Sequence, residues 1–138
     1  MAAEDALTVG LEGSLRDTVS EEMTADHVGS GDVPVLATPM VLALVERAAV
    51  SSLAGKLPAG MTSVGASVEL AHLAPTPVGA PVETQVRLEH VEGGRRLTFS
   101  FTVSDPTGEV ASGTHVRMVV DRDRFERTAA QRRGDQPR

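Results

Sequence analysis

Cysteine, tryptophan and tyrosine are absent from the 138 residues, and phenylalanine occurs only three times. Without cysteine there can be no disulfide, thiolate nucleophile or zinc–thiolate site. Without Trp or Tyr, most stacking platforms for nucleic-acid bases are missing. The net charge of −6 supplies no basic face for phosphates, so a nucleic-acid partner is not expected. No apolar run approaches bilayer-spanning length, and the acidic start, MAAEDALTVG, has no apolar signal region. The expectation is a cytoplasmic protein with no membrane partner. The single basic cluster, Arg122 to Arg133, leads into a polar end, and residues 126–138 are expected to be a disordered tail.

What is present suits one globular domain over residues 1–125, with a core of Val, Leu, Ala and Met. Val9, Leu11, Leu15 and Val19 alternate with polar residues, which predicts a half-buried strand. SEEMTADH can form a helical turn, and HVGSGDVP reads as a Gly/Pro-rich flap. Thr38 as N-cap and Pro39 at the first helical position open a helix that should run to about Gly55. Four strands follow, over 62–73, 81–91, 96–103 and 110–121, with Glu92-Gly93-Gly94 and DPTG as turns. One long helix against an antiparallel sheet of about five strands is α+β, and the order fits the hot-dog architecture.

The helix carries an oddity. On the helical wheel, Glu46 is flanked by Pro39, Leu42, Ala43, Ala49, Val50 and Leu53, all apolar. A buried carboxylate must be neutral, paired or hydrogen-bonded. It is either a structural group paired with a base such as Arg117, or a cleft carboxylate tuned for chemistry. His72 shares strand parity with Val64, Val68 and Leu70 and so points inward, as a satisfied core histidine or as a catalyst. Thr38 either caps the helix or serves an oxyanion at the helix N-terminus. Thr38 and Glu46 lie roughly 12 Å apart along the axis, a gap that an imidazole would have to bridge. His115 and Arg117 have the parity opposite to Val116, Met118 and Val120 and should face away from that strand's apolar side. The four histidines show no metal-ligand spacing, and neither a GxSxG elbow nor a P-loop occurs.

Four stretches, LATPMVLALVE, VGASVELAHLAPTPVG, VEGGRRLTFSFTVSD and GTHVRMVVD, resemble the fluoroacetyl-CoA thioesterase family in order and spacing. The resemblance implies a homodimeric hot-dog enzyme that hydrolyses acyl-CoA without metal or other cofactor. It implies Thr38, Glu46 and His72 as the catalytic group, with Gly65 and Arg117 contacting substrate. Gly65 and His72 stand seven residues apart on one strand, roughly 23 Å, too far to serve one small acyl group from one chain. Antiparallel pairing of this strand with its symmetry mate would place Gly65 of one copy opposite His72 of the other. The flap departs from the family in having no aromatic residue, which argues for a small acyl group other than fluoroacetyl. The rival expectations are a hot-dog dehydratase, an acyl-carrier-protein thioesterase, a non-catalytic acyl-CoA binding protein, and a structural dimer.

Overall fold

The computed structural model describes residues 7–134. The strands are β1 (Glu12–Thr18), β2 (Met61–His72), β3 (Pro81–Glu92), β4 (Arg96–Asp105) and β5 (Gly108–Asp121). They form a single sheet of order β1-β3-β4-β5-β2, and every neighbouring pair is antiparallel. A 3-10 turn (Glu21–Met23) and the short helix α1 (Ala25–Val28) precede the central helix α2 (Thr38–Ser52), and α3 (Arg122–Gln131) follows β5. This is the expected α+β hot-dog arrangement, one long helix held inside a curled antiparallel sheet.

The helix is where it is because Val41, Leu44, Val45, Ala48, Ala49 and Ser52 recur at helical spacing and bury one face. Opposite them the sheet presents Val82, Val86, Leu88, Leu97, Phe99, Phe101 and Val103, all buried in the same cluster. Thr38 is not the N-cap. Ala37 takes that position, and its carbonyl accepts the first helical bond, from the Val41 N–H at 3.0 Å. The cause lies upstream: Leu36 N–H donates to the Thr76 carbonyl and Ala37 N–H to the Met23 carbonyl, holding the chain extended up to residue 37. Thr38 becomes the first helical residue, and its hydroxyl makes no capping bond. The helix ends at Ser52 rather than near Gly55, with residues 53–56 forming a turn.

Three further expectations change. β2 carries a bulge between Gly65 and Ser67 that switches its register on β5. Ahead of it, Ser63 and Gly65 are opposite Val119 and Arg117; past it, Val68, Leu70 and His72 are opposite His115, Gly113 and Ala111. One inserted residue exchanges the faces of a strand. His72 therefore shares its face with Val68 and Leu70 but not with Val64, which lies opposite Met118 on the outer side. On β5 His115 and Arg117 are buried and share their parity with the buried Ala111 and Val119, so both point inward. The apolar Val116, itself buried, Met118 and Val120 have the opposite parity, and polarity parity misjudged this strand. Finally, the expected tail is helical as far as Gln131. Asp121 caps α3 by accepting the Arg124 N–H at 2.9 Å, and none of the helix's residues is buried. Residues 135–138 of that expected tail lie outside the described residues.

β1 crosses α2 at Gly13, where an added methyl would stand 2.8 Å from Ser52 Cβ and 2.9 Å from the Ala48 carbonyl oxygen. Helix and strand must separate to admit it. We expect Gly13→Ala to destabilise the fold by about 1–3 kcal/mol in urea titration. The exposed neighbour change Ser14→Ala should stay within about 0.5 kcal/mol.

Candidate active site

Two groups of side chains stand at the β2 end of the sheet. In the first, the Thr38 hydroxyl and His72 Nδ1 lie 2.8 Å apart. The α2 start and the β2 end meet here, which is possible because Thr38 is released from capping. His72 Nε2 is buried and has no hydrogen-bond partner among the described residues. Burial lowers the imidazole below its ordinary pKa of 6.5, with an opposing backbone interaction at Ala74. At neutral pH the ring is therefore a free base held against a hydroxyl.

The second group centres on Arg117, whose side chain is only 6 % exposed. A buried guanidinium must be hydrogen-bonded at each nitrogen. Nε donates to Ser63 Oγ at 2.9 Å, Nη2 to the Ser63 carbonyl at 3.1 Å, and Nη1 lies 3.1 Å from His115 Nε2. Nη1 also stands 3.5 Å from Glu46 Oε2. Burial pulls Arg117 down from its usual range, and Glu46 opposes the shift. Glu46 keeps 42 % of its side chain exposed, and its helical neighbour Val50 is 51 % exposed. The carboxylate therefore sits at the rim of the buried face. The pairing with Arg117, one of the two readings of the sequence, is what the chain contains. Gly65 lies directly beneath: a methyl there would be 2.5 Å from Glu46 Oε2 and 3.7 Å from Arg117 Nη1. Only a residue without a side chain lets the carboxylate approach this strand.

Of the sequence candidates, then, the chain joins Thr38 with His72, and Glu46 with Gly65 and Arg117. No hydrogen bond or ion pair links the two groups among the described residues. Ser63 escaped the sequence reading, and His115 was read there only as a residue facing away from its strand's apolar side. The signal for His115 was its i, i+2 spacing from Arg117 on one strand face.

A cleft of about 320 Å³ opens at the first group, lined by Val33, Val35, Leu36, Thr38, His72 and Leu73 among others. A larger depression of about 480 Å³ runs over β1, β3 and β4, lined by Glu12, Ser14, Gln85 and Arg87 among others, and holds no nucleophile–base pair. Size alone therefore misdirects, and the hydroxyl–imidazole contact locates the chemistry. Among the described residues no set of three or more His, Asp or Glu side chains could hold a metal ion, and no helix is long and apolar enough to cross a membrane.

The chain is also similar to known proteins. A family profile described as fluoroacetyl-CoA-specific thioesterase matches residues 19–123. The chain belongs to that family. It is by family a thioester hydrolase. The fluoroacetyl-CoA thioesterase of Streptantibioticus cattleyicolor is 36 % identical over 98 residues, covering 71 % of this chain and 70 % of that one. A crystal structure of the fluoroacetyl-CoA thioesterase FlK superposes with a TM-score of 0.85 at 31 % identity, over 94 % of this chain and 98 % of that one. A hot-dog-like protein from Thermanaerovibrio acidaminovorans gives 0.87 at 32 % identity, over 99 % and 100 % of the two chains.

Burial of His72 and His115 as free bases has a consequence for folding. Both pKa values lie below 6.5 in the folded chain. At acid pH the unfolded chain then binds more protons than the folded one. Their stabilising contribution is complete above pH 6.5 and declines as pH falls toward the folded values. Urea midpoints should therefore drop as pH falls below 6.5. His115→Gln, with one such group fewer, should show a shallower drop than the wild type.

Proposed function

We propose that this chain hydrolyses acyl-CoA thioesters bearing a small or short acyl group, in two sites that a homodimer builds from both copies. The supporting observation is the buried, unpartnered Nε2 of His72. With Thr38 donating to Nδ1, the ring proton sits on Nε2, and a buried N–H without an acceptor costs about 1–3 kcal/mol. The missing acceptor should be an oxygen, and the chain offers a half-exposed carboxylate at Glu46. β2 is an edge strand, paired only with β5 along its 12 residues, and an edge of that length invites pairing. Antiparallel addition of a second β2, with Gly65 opposite His72, would bring Glu46 of the partner subunit toward the imidazole.

In the assembled site, His72 Nδ1 takes the Thr38 proton as the Thr38 oxygen attacks the thioester carbonyl carbon. The tetrahedral oxyanion is met by backbone N–H groups near the α2 start or at Gly65. The C–S bond then breaks, and the CoA sulfur recovers the proton from His72. Water enters next; His72 takes a proton from it as the water oxygen attacks the acyl carbon. His72 returns that proton to the Thr38 oxygen as its C–O bond breaks, releasing the free acid and restoring Thr38 and His72. Glu46 balances the charge that imidazole acquires in both steps. The acyl group would occupy the cleft under the flap, whose lining is aliphatic where the family suggests aromatic residues. Small acyl groups other than fluoroacetyl are the expected substrates.

The test is thiol release from acetyl-, fluoroacetyl-, propionyl-, malonyl- and phenylacetyl-CoA, read with a thiol-reactive dye that meets no cysteine in this protein. Turnover of at least one ester is expected, and silence across the panel would reject the reading. His72→Ala should lower kcat by roughly 10²–10⁴-fold. Composite sites make a sharper forecast. Refolding His72→Ala together with Glu46→Gln should restore up to about a quarter of wild-type activity, because half of randomly paired dimers are mixed and each holds one intact site. No recovery would place the whole catalytic set within one chain.

A further inference from the structure

Among the described residues the catalytic reading leaves two buried ionisable groups unused, His115 and Arg117. His115 is 2 % exposed, and every polar atom of its ring is engaged. Arg117 is a donor only, so its Nη1–H must donate to His115 Nε2, and that nitrogen must be bare. The proton is then on Nδ1, which donates to the Ser67 carbonyl at 3.0 Å. That carbonyl belongs to the first residue after the β2 bulge. The bulge, the imidazole and the guanidinium thus form one chain of directed hydrogen bonds, with Glu46 at its end.

We propose that His115 is a positioning residue, which, as a neutral Nδ1–H imidazole braced on the Ser67 carbonyl, fixes the Arg117 guanidinium and through it the Glu46 carboxylate. Two geometric facts carry this. Arg117 Nη1 is the nitrogen nearest Glu46, at 3.5 Å, and it is also the nitrogen that His115 accepts from. The remaining nitrogens are bound by Ser63 alone. Removing His115 would leave the guanidinium anchored on one side and free to turn about its Ser63 bonds at the end that faces Glu46. A methyl at Gly65 would also lie 3.4 Å from His115 Cε1, so Glu46, Arg117, His115 and Gly65 share one packed volume. Protonation of His115 would present a second donor to Arg117 in place of an acceptor. Arg117 lowers the imidazole's basicity and Glu46 raises it, while burial favours the neutral form.

The catalytic part of this inference rests on the thioesterase reading; the positioning part does not. Three substitutions separate the roles of the two ring nitrogens. His115→Gln places an amide oxygen near the Nε2 position and keeps an acceptor for Arg117. His115→Asn places its amide near the Nδ1 position and keeps only the tie to Ser67. His115→Leu keeps neither. For catalysis, kcat is expected to fall at least tenfold in the Asn and Leu variants with KM changed less, and to recover in the Gln variant to within a few-fold of wild type. A purely structural histidine would lower the melting temperature in all three and leave kcat of the folded protein unchanged, which would overturn the proposal. Independently of turnover, the Arg117 Nε–H resonance should be sharp in wild type and His115→Gln and broadened in His115→Leu. An unchanged resonance in His115→Leu would overturn the positioning role even if no acyl-CoA proves to be a substrate. A protein that hydrolyses no ester would reject the thioesterase reading, and the resonance would still decide this one.

Discussion

A guanidinium buried in a sheet imposes demands on everything around it, and here the demands reach from one strand edge to the central helix. Arg117 is charged and nearly inaccessible, so each of its nitrogens must find an acceptor. Ser63 meets two of them only if it points inward. His72, on the same strand, must also point inward to meet Thr38. Nine residues separate Ser63 from His72, an odd number, and a regular strand would put them on opposite faces. The bulge between Gly65 and Ser67 removes the conflict. It also turns the Ser67 carbonyl to a position where His115 can use it. A strand without the extra residue could serve the arginine or the Thr38–His72 contact, but not both.

The same logic shows where the sequence was legible and where it was not. The fold was readable because its signals are local and repeated: Val41, Leu44, Val45 and Ala48 at helical spacing, Leu97 to Val103 in alternation, Gly93 and Gly94 at a hairpin turn where both have positive φ. Family likeness in four short stretches carried the choice of Thr38, Glu46 and His72. Facing was read less well, because parity assumes an uninterrupted strand and a single apolar side. On β2 the bulge broke the first assumption, and Val64 was put on the wrong face. On β5 the second failed. Val116, Met118 and Val120 are apolar and of the outer parity, although Val116 is itself buried, while the inward positions beside them hold an imidazole and a guanidinium. A polar cluster that satisfies itself inside looks, in sequence, like a solvated face.

The start of α2 was misread by one residue for a related reason. Threonine is a good N-cap, and local preference placed Thr38 there. The cap was decided instead by Leu36 and Ala37, whose N–H groups are taken by Thr76 and Met23 from distant parts of the chain. A tertiary constraint worth two backbone hydrogen bonds outweighs a capping preference of about 1 kcal/mol. The consequence is chemical. A capping hydroxyl would have been spent on a backbone N–H, whereas the Thr38 hydroxyl is available to His72.

The two groups also differ in how firmly the fold holds what surrounds them. Arg117, His115, Ser63 and the bulge are built into paired strands, where any change disturbs several hydrogen bonds at once. The cleft beside Thr38 and His72 is bounded on its other side by the exposed segment from Ser30 to Val33, which has Gly, Asp and Val and carries little of the core. Side chains there can vary in size at small cost to folding. The lining of this cleft can therefore change while the hydrogen bonds around Arg117 stay fixed. A flap without aromatic residues, beside strands that satisfy every nitrogen of Arg117, is the outcome that such a division permits.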